Sequence, residues 1–236
     1  MLKWDGSKIE RLRTRKFARK HDMHDIVKIV KESKIDKYTI YTIQDTDETY
    51  HYVQIIQSSV YACIIDEIKY MFDIEKQGTH HYKCGSITYV IYRIRTKKNS
   101  PNVVMLPKTI DKTKVNIQDI RMIIVFRYLV GCNTNRNNIK MIKVNKNKYY
   151  PISVIETNPM NKNIIANTML NELGNISINT FLHMKFSIGN DMEANHLSNS
   201  ILTKVKSVIM KIDDHCLDLY DFLVNRLNNA LEFDKV

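Results

Sequence analysis

The sequence predicts an α+β protein with a small mixed N-terminal lobe and a larger, helix-rich C-terminal lobe. Three observations carry that expectation. Short runs dense in Ile, Val, Tyr and Thr cluster before residue 95, whereas apolar stripes at helical spacing fill the C-terminal third. Between them Arg95–Lys108, with Lys97-Lys98-Asn99-Ser100-Pro101 and Pro107, reads as a hinge. The expected organisation is a basic arm over 1–24, a small lobe over 25–94, the hinge over 95–108 and a helix-rich lobe over 109–236.

In the small lobe, Asp25–Ser33 is expected to be a short helix with Ile26, Ile29 and Val30 on one face. Lys37–Ile43 and Tyr50–Ile56 read as a hairpin around the polar turn 44–49. Ser59 then caps a helix whose apolar face is Tyr61, Ile64, Ile65, Ile68, Met71 and Phe72. Gly78 closes that region, and Ser86–Ile94 gives a further strand.

The large lobe opens on Asn116-Ile117-Gln118-Asp119, an N-cap with an acid three residues on. Ile117, Ile120, Ile124 and Tyr128 repeat at the helical period, and Gly131 supplies the left-handed residue that ends the helix. After a polar loop, Ile139–Val144 and Tyr149–Ile155 form two β-type runs joined by Asn145-Lys146-Asn147-Lys148. Ile164–Leu173 predicts a third helix, and 175–190 fits helix or strand. Leu197, Ile201, Val205, Val208, Ile209 and Ile212 mark one terminal helix; Leu217, Tyr220, Val224, Leu227 and Leu231 mark another.

With 236 residues, 44% of them hydrophobic, the chain can bury a sizeable core. No apolar run approaches the roughly 18 residues that cross a bilayer, and the basic, polar N-terminus is not a secretory leader. Cys63, Cys84, Cys132 and Cys216 are far apart, which argues against a zinc site or a disulfide framework and for a reducing compartment. The expectation is an intracellular protein, cytoplasmic or nuclear, or one associated with a virion. Abundant Ile, Asn, Lys and Tyr beside 6 Gly and 4 Pro is the codon-level mark of an AT-rich genome, such as a parasite's or a large DNA virus's.

The net charge of +11 is uneven. Lys3, Lys8, Arg11, Arg13, Arg15, Lys16, Arg19 and Lys20 stand against only Asp5 and Glu10 in the first twenty residues. Such a segment attracts nucleic acid or another polyanion by releasing condensed counterions, with Trp4 and Phe17 placed to stack on bases or to pack on the domain. The nucleic-acid candidates are Arg11, Arg13, Arg15, Lys16, Arg19 and Lys20; a solvated helix face or a nuclear-localisation signal accounts for the same residues.

The second candidate site lies after Gly131. Pairing positions that sum to about 293 sets Asn138 opposite Ile155, so that Asn138 and Glu156 share the open end of the hairpin. An amide oxygen beside a carboxylate, next to a basic loop, can hold a divalent cation and a phosphate; a hairpin with a merely polar mouth reads the same way. Helix, the loop Cys132-Asn133-Thr134-Asn135-Arg136-Asn137-Asn138, then a hairpin ending in an acid resembles the catalytic core of the protein-kinase-like superfamily, above all its phosphoinositide-kinase-like branch. The resemblance implies ATP with Mg2+ or Mn2+ as ligand, metal ligation by Asn138 and Glu156, and Arg136 beside the cofactor. It sets Asn133 at the position of the catalytic Asp, where an amide cannot accept a proton. No Gly occurs between Gly6 and Gly78 to cover phosphates, and Tyr50–Ile56 carries Gln54 and no Lys to pair with Glu67. The resemblance therefore implies a pseudoenzyme or, if any catalysis survives, a phosphotransferase. The rival reading is a basic nucleic-acid-binding or virion-type structural protein without catalysis.

Other constellations are thin. His21 and His24 with Asp22 and Asp25 offer two imidazoles on one helix face but no third ligand. His80-His81 fits a loop or strand start. Among Asp213, Asp214, His215 and Asp218, Asp214 is the expected helix cap. No Ser, Cys or Thr stands at a recognisable spacing from a base, so hydrolase chemistry has no support.

Overall fold

The computed structural model describes residues 13–19, 26–35, 38–48, 50–58, 60–74, 80–84, 87–91, 94–96, 102–105, 111, 113–135, 139–145, 148–153 and 159–232. The chain is α+β and divides into two compact units, 1–58 with 77–102 and 59–76 with 103–236. Among the described residues no helix is long and apolar enough to cross a membrane.

The first unit holds a short helix α1 (13–19) and a six-stranded sheet of β1 (Ile26–Ile35), β2 (Tyr38–Asp45), β3 (Tyr50–Ser58), β4 (His80–Cys84), β5 (Ile87–Ile91) and β6 (Ile94–Thr96). The order is β1-β2-β3-β5-β4, with β6 also pairing β3. The β2–β3 hairpin stands where alternation and the acidic turn place it. Asp45 Oδ1 accepts from the Asp47 backbone N–H, and Glu48 takes the left-handed φ of 57° that completes the turn. The expected strand Ser86–Ile94 is instead two strands, β5 and β6.

The expected helix at Asp25–Ser33 is a correction: the segment is the edge strand β1. Its register against β2 shifts between Ile26 and Lys28 and again between Ile29 and Lys31. Each bulge inserts one residue and resets the in–out alternation, so Ile26 and Ile29 both turn inward although they are three apart. A bulged strand thus copies helical spacing. Ile26 and Ile29 meet Phe17, Ile43 and the half-buried Tyr41 in one small core, with the Phe17 and Tyr41 rings 4.6 Å apart.

The second unit contains α2 (Val60–Ile68), prolonged as a 3-10 turn over Lys69–Phe72, and then β7 (Asn102–Met105) and α3 (Ile117–Leu129). It continues with β8 (Ile139–Asn145), β9 (Lys148–Ser153), α4 (Asn167–Glu172), α5 (Ile178–Phe186), α6 (Asp191–Ile212) and α7 (Leu217–Leu231). α3 is the central element. Ile120, Met122, Ile123, Ile124, Val125, Phe126, Arg127 and Leu129 are all buried on it, so it has no polar face and its stripe is far wider than the predicted one. Its cap is as expected, with Asn116 Oδ1 accepting from the Gln118 backbone N–H.

Three further expectations are corrected here. The β8–β9 pairing follows the expected sum only at Asn145↔Lys148; a register shift then makes Lys143 face Tyr149 and Ile139 face Ser153, one residue off. The third helix is only Asn167–Glu172, because Ile165 lends its carbonyl to the Thr134 hydroxyl and is held out of the helix. Asp213, not Asp214, is the capping acid: its Oδ1 accepts from the His215 backbone N–H at the short 3-10 turn before α7. The ambiguous 175–190 stretch contains α5, capped by Ser177 accepting from Thr180 N–H.

Candidate functional site

The site is built outward from the end of α3. Gly131 has φ 71°, and its N–H donates to Tyr128 O while the Cys132 N–H donates to Arg127 O, the paired bonds of a Schellman closure. The segment at Met160–Asn161 crosses directly over it: Met160 N–H donates to Val130 O and Asn161 N–H to Gly131 O. A Cβ on Gly131 would lie 2.6 Å from the Met160 nitrogen, so only glycine admits this crossing. From α7, Arg226 donates to the carbonyls of Tyr128, Asn161 and Lys162 and stacks its guanidinium 4.2 Å from the Tyr128 ring centroid. Helix end and crossing segment are thereby held together by one cation.

The loop that leaves Gly131 is fastened from inside and outside. Arg127 Nε donates to the Asn133 carbonyl at 2.6 Å, and Thr134 Oγ1 donates to Ile165 O at 2.9 Å. The Asn133 side-chain oxygen accepts from the Asn135 backbone N–H, an Asx turn. Below the loop lie Asp66 and Lys69, which with Arg127 are at most 2% exposed. Lys69 Nζ donates to Asp66 Oδ1 at 3.1 Å. Burial pushes the Lys69 ammonium below its ordinary range; Asp66 opposes this, while the Arg127 charge works with burial. Asp66 Oδ2 has no hydrogen-bond partner among the described residues. Arg127 and the Asp66–Lys69 pair thus bring three ionisable side chains into the core under the loop.

Outside the loop a cavity of about 540 Å³ is bounded by Asn133, Thr134 and Asn135 on one side, Asn163 to Ile165 on another, and Thr168, Met169 and Glu172 of α4. Its walls offer amide donors and acceptors, hydroxyls and one carboxylate around an apolar floor. Such a lining suits a ligand rich in hydroxyl or phosphoryl oxygens. It offers no general base at Asn133, whose amide is committed to the Asx turn.

Of the predicted site residues, Asn133 lines this cavity. Arg136, Asn138 and Glu156 lie outside the described residues, as do Arg11, Lys20, His21, Asp22, His24 and Asp25. Arg13, Arg15, Lys16 and Arg19 stand exposed on α1, and Phe17 packs on the sheet. His80 and His81 open β4. The Asp213, Asp214 and His215 side chains come within 4.8 Å of one another, on a mostly exposed turn.

Sequence reasoning missed Asp66, Lys69, Arg127 and Arg226. Asp66 and Lys69 fall off the apolar stripe of α2 and its 3-10 extension, yet both are buried. Their i, i+3 spacing was the one available signal. No protein-family model, curated protein or solved structure matches this chain.

Proposed function

We propose that this chain is a divergent kinase-like protein, catalytically impaired, that binds a nucleotide together with a divalent cation. The observation that carries the reading is the rigid Cys132–Asn135 loop. It leaves the end of a buried helix, is held by Arg127 and leads toward the antiparallel hairpin β8–β9, with an amide at the position where the superfamily places its catalytic Asp. The element order supports it too: an antiparallel meander, a helix, more strands, then helix, loop and hairpin, then helices. A two-lobed architecture of that kind is part of the proposal. Asn133 keeps the loop geometry without supplying a base, so binding outlasts transfer.

Thermal unfolding with ATP and Mg2+ or Mn2+ tests this. A ligand that binds only the folded state raises Tm by mass action, by roughly 2.7 kcal/mol of stability at a hundredfold excess over Kd. The expected result is a metal-dependent rise that Glu156→Gln abolishes, with no phosphoryl transfer by the wild-type chain. No rise at millimolar nucleotide, or the same rise in Glu156→Gln, overturns the reading.

A further inference from the structure

The basic arm is in part a folded surface. Thr14 and Phe17 are the buried side of α1; Phe17 fills the small core with Ile26 and Ile29, and Thr14 Oγ1 accepts from the Ile29 backbone N–H at 3.3 Å. That bond occupies an outward N–H of the edge strand β1. Arg13 pairs with Glu32 on the same strand. Three anchors therefore lay α1 alongside β1, and its other side carries Arg15, Lys16 and Arg19, all exposed. Among the described residues none of these three forms an ion pair. β1 contributes Lys31, exposed between the same anchor points. Asp47 and Glu48, on the β2–β3 turn near Ile26, are the acidic groups at one end.

We propose that α1 and β1 together form a binding surface for the phosphate backbone of duplex nucleic acid. The partner follows from what surrounds the charges. A membrane-surface helix turns an apolar face outward, whereas Phe17 is turned into the protein and, among the described side chains of these two elements, Val27 is the large exposed apolar one. Single strands are gripped by stacking on aromatic rings, and Phe17 and Tyr41 are packed against each other. Cations mounted on α1 and β1, with no exposed aromatic ring among the described residues of these two elements, match a regular array of phosphates. Such contacts position the protein and read no bases.

The test is anisotropy of a labelled mixed-sequence DNA duplex against the full chain over a salt series. Micromolar or weaker binding at physiological salt is expected, with log Kd linear in log salt. Arg15→Gln, Lys16→Gln and Arg19→Gln together should flatten that slope by about 2.7, at about 0.9 per lost phosphate contact. Lys31→Gln should flatten it by about 0.9 on the same basis. All four positions are exposed, so circular dichroism should report unchanged folding. Salt-insensitive binding, an unchanged slope in either variant, or tighter binding to single strands or to anionic vesicles than to duplex overturns the proposal.

Discussion

The Nε proton of Arg127 is donated to the carbonyl oxygen of Asn133 across 2.6 Å, so a side chain of the central helix fixes the backbone of the loop that leaves it. A guanidinium suits this role because it remains charged when buried and directs its donors in a fixed plane. Its positive charge acts against the nearby buried Lys69 ammonium, which in turn pairs with Asp66. The loop's shape and the core's electrostatics thus depend on one residue.

Replacing Arg127 with Met should remove both effects. Breaking a buried charge cluster by deleting one partner costs about 3–5 kcal/mol, which urea unfolding would read as a large drop in midpoint. Arg127→Lys should recover only part of the loss, since an ammonium cannot reproduce the fork. A Met variant as stable as wild type would show that the loop is held by other bonds.

Gly131 makes a second, separate demand. Its left-handed φ and the Met160 nitrogen 2.6 Å from any added Cβ mean that Gly131→Ala meets backbone rather than a flexible side chain. A destabilisation of about 2 kcal/mol or more is expected. Gly189, where a Cβ would meet Glu193 Oε2 at 3.4 Å, is the control, and Gly189→Ala should change stability by less than about 1 kcal/mol. Equal losses at the two positions would contradict the close crossing of residues 160–161 over the helix end.

These residues also mark how far the sequence could be read. Both ends of α3 were legible, because Asn116 and Gly131 act through local backbone chemistry that spacing reveals. Both hairpins were legible from alternation and turn residues. β1 was not, since the bulge between Ile26 and Lys28 gives Ile26 and Ile29 the spacing of a helix. On α7 the buried line is Leu219, Leu223, Leu227, Ala230 and Leu231, while Leu217 is 37% exposed. The predicted stripe through Leu217, Tyr220 and Val224 was rotated, because periodicity finds an apolar face but not which edge of it the neighbouring helices cover.

The site was legible only in outline. Asn133 was singled out because the resemblance sets it at the position of the superfamily's catalytic Asp; the structure places it on the cavity wall. What tertiary packing adds, the Asp66–Lys69 pair and the long-range clamp of Arg226 on residues near 128 and 161, leaves no local pattern. The one-residue register shift near Asn145 is of the same kind, since a bulge is decided by the sheet rather than by the turn.

A pH-dependent contact joins α2 to α7. The Tyr61 hydroxyl donates to the Asp218 carboxylate at 2.8 and 3.0 Å, and this hydrogen bond, followed by burial and the Asp218 charge, pushes its pKa up to about 12. In the unfolded chain a tyrosine ionises near pH 10. The folded state therefore holds the proton more tightly, and the stabilisation is fully present below about pH 10 and is lost as pH rises through about 12. With 13 tyrosines in the chain, the titration is best read as phenolate absorbance of wild type minus Tyr61→Phe, which should isolate one group ionising late. Asp218→Asn removes the acceptor's charge and should return that group toward the ordinary range. Tyr61→Phe should in turn flatten the fall in stability between about pH 10 and 12. A difference titration centred near pH 10, unmoved by Asp218→Asn, would mean that the hydroxyl and the carboxylate do not share the proton in solution.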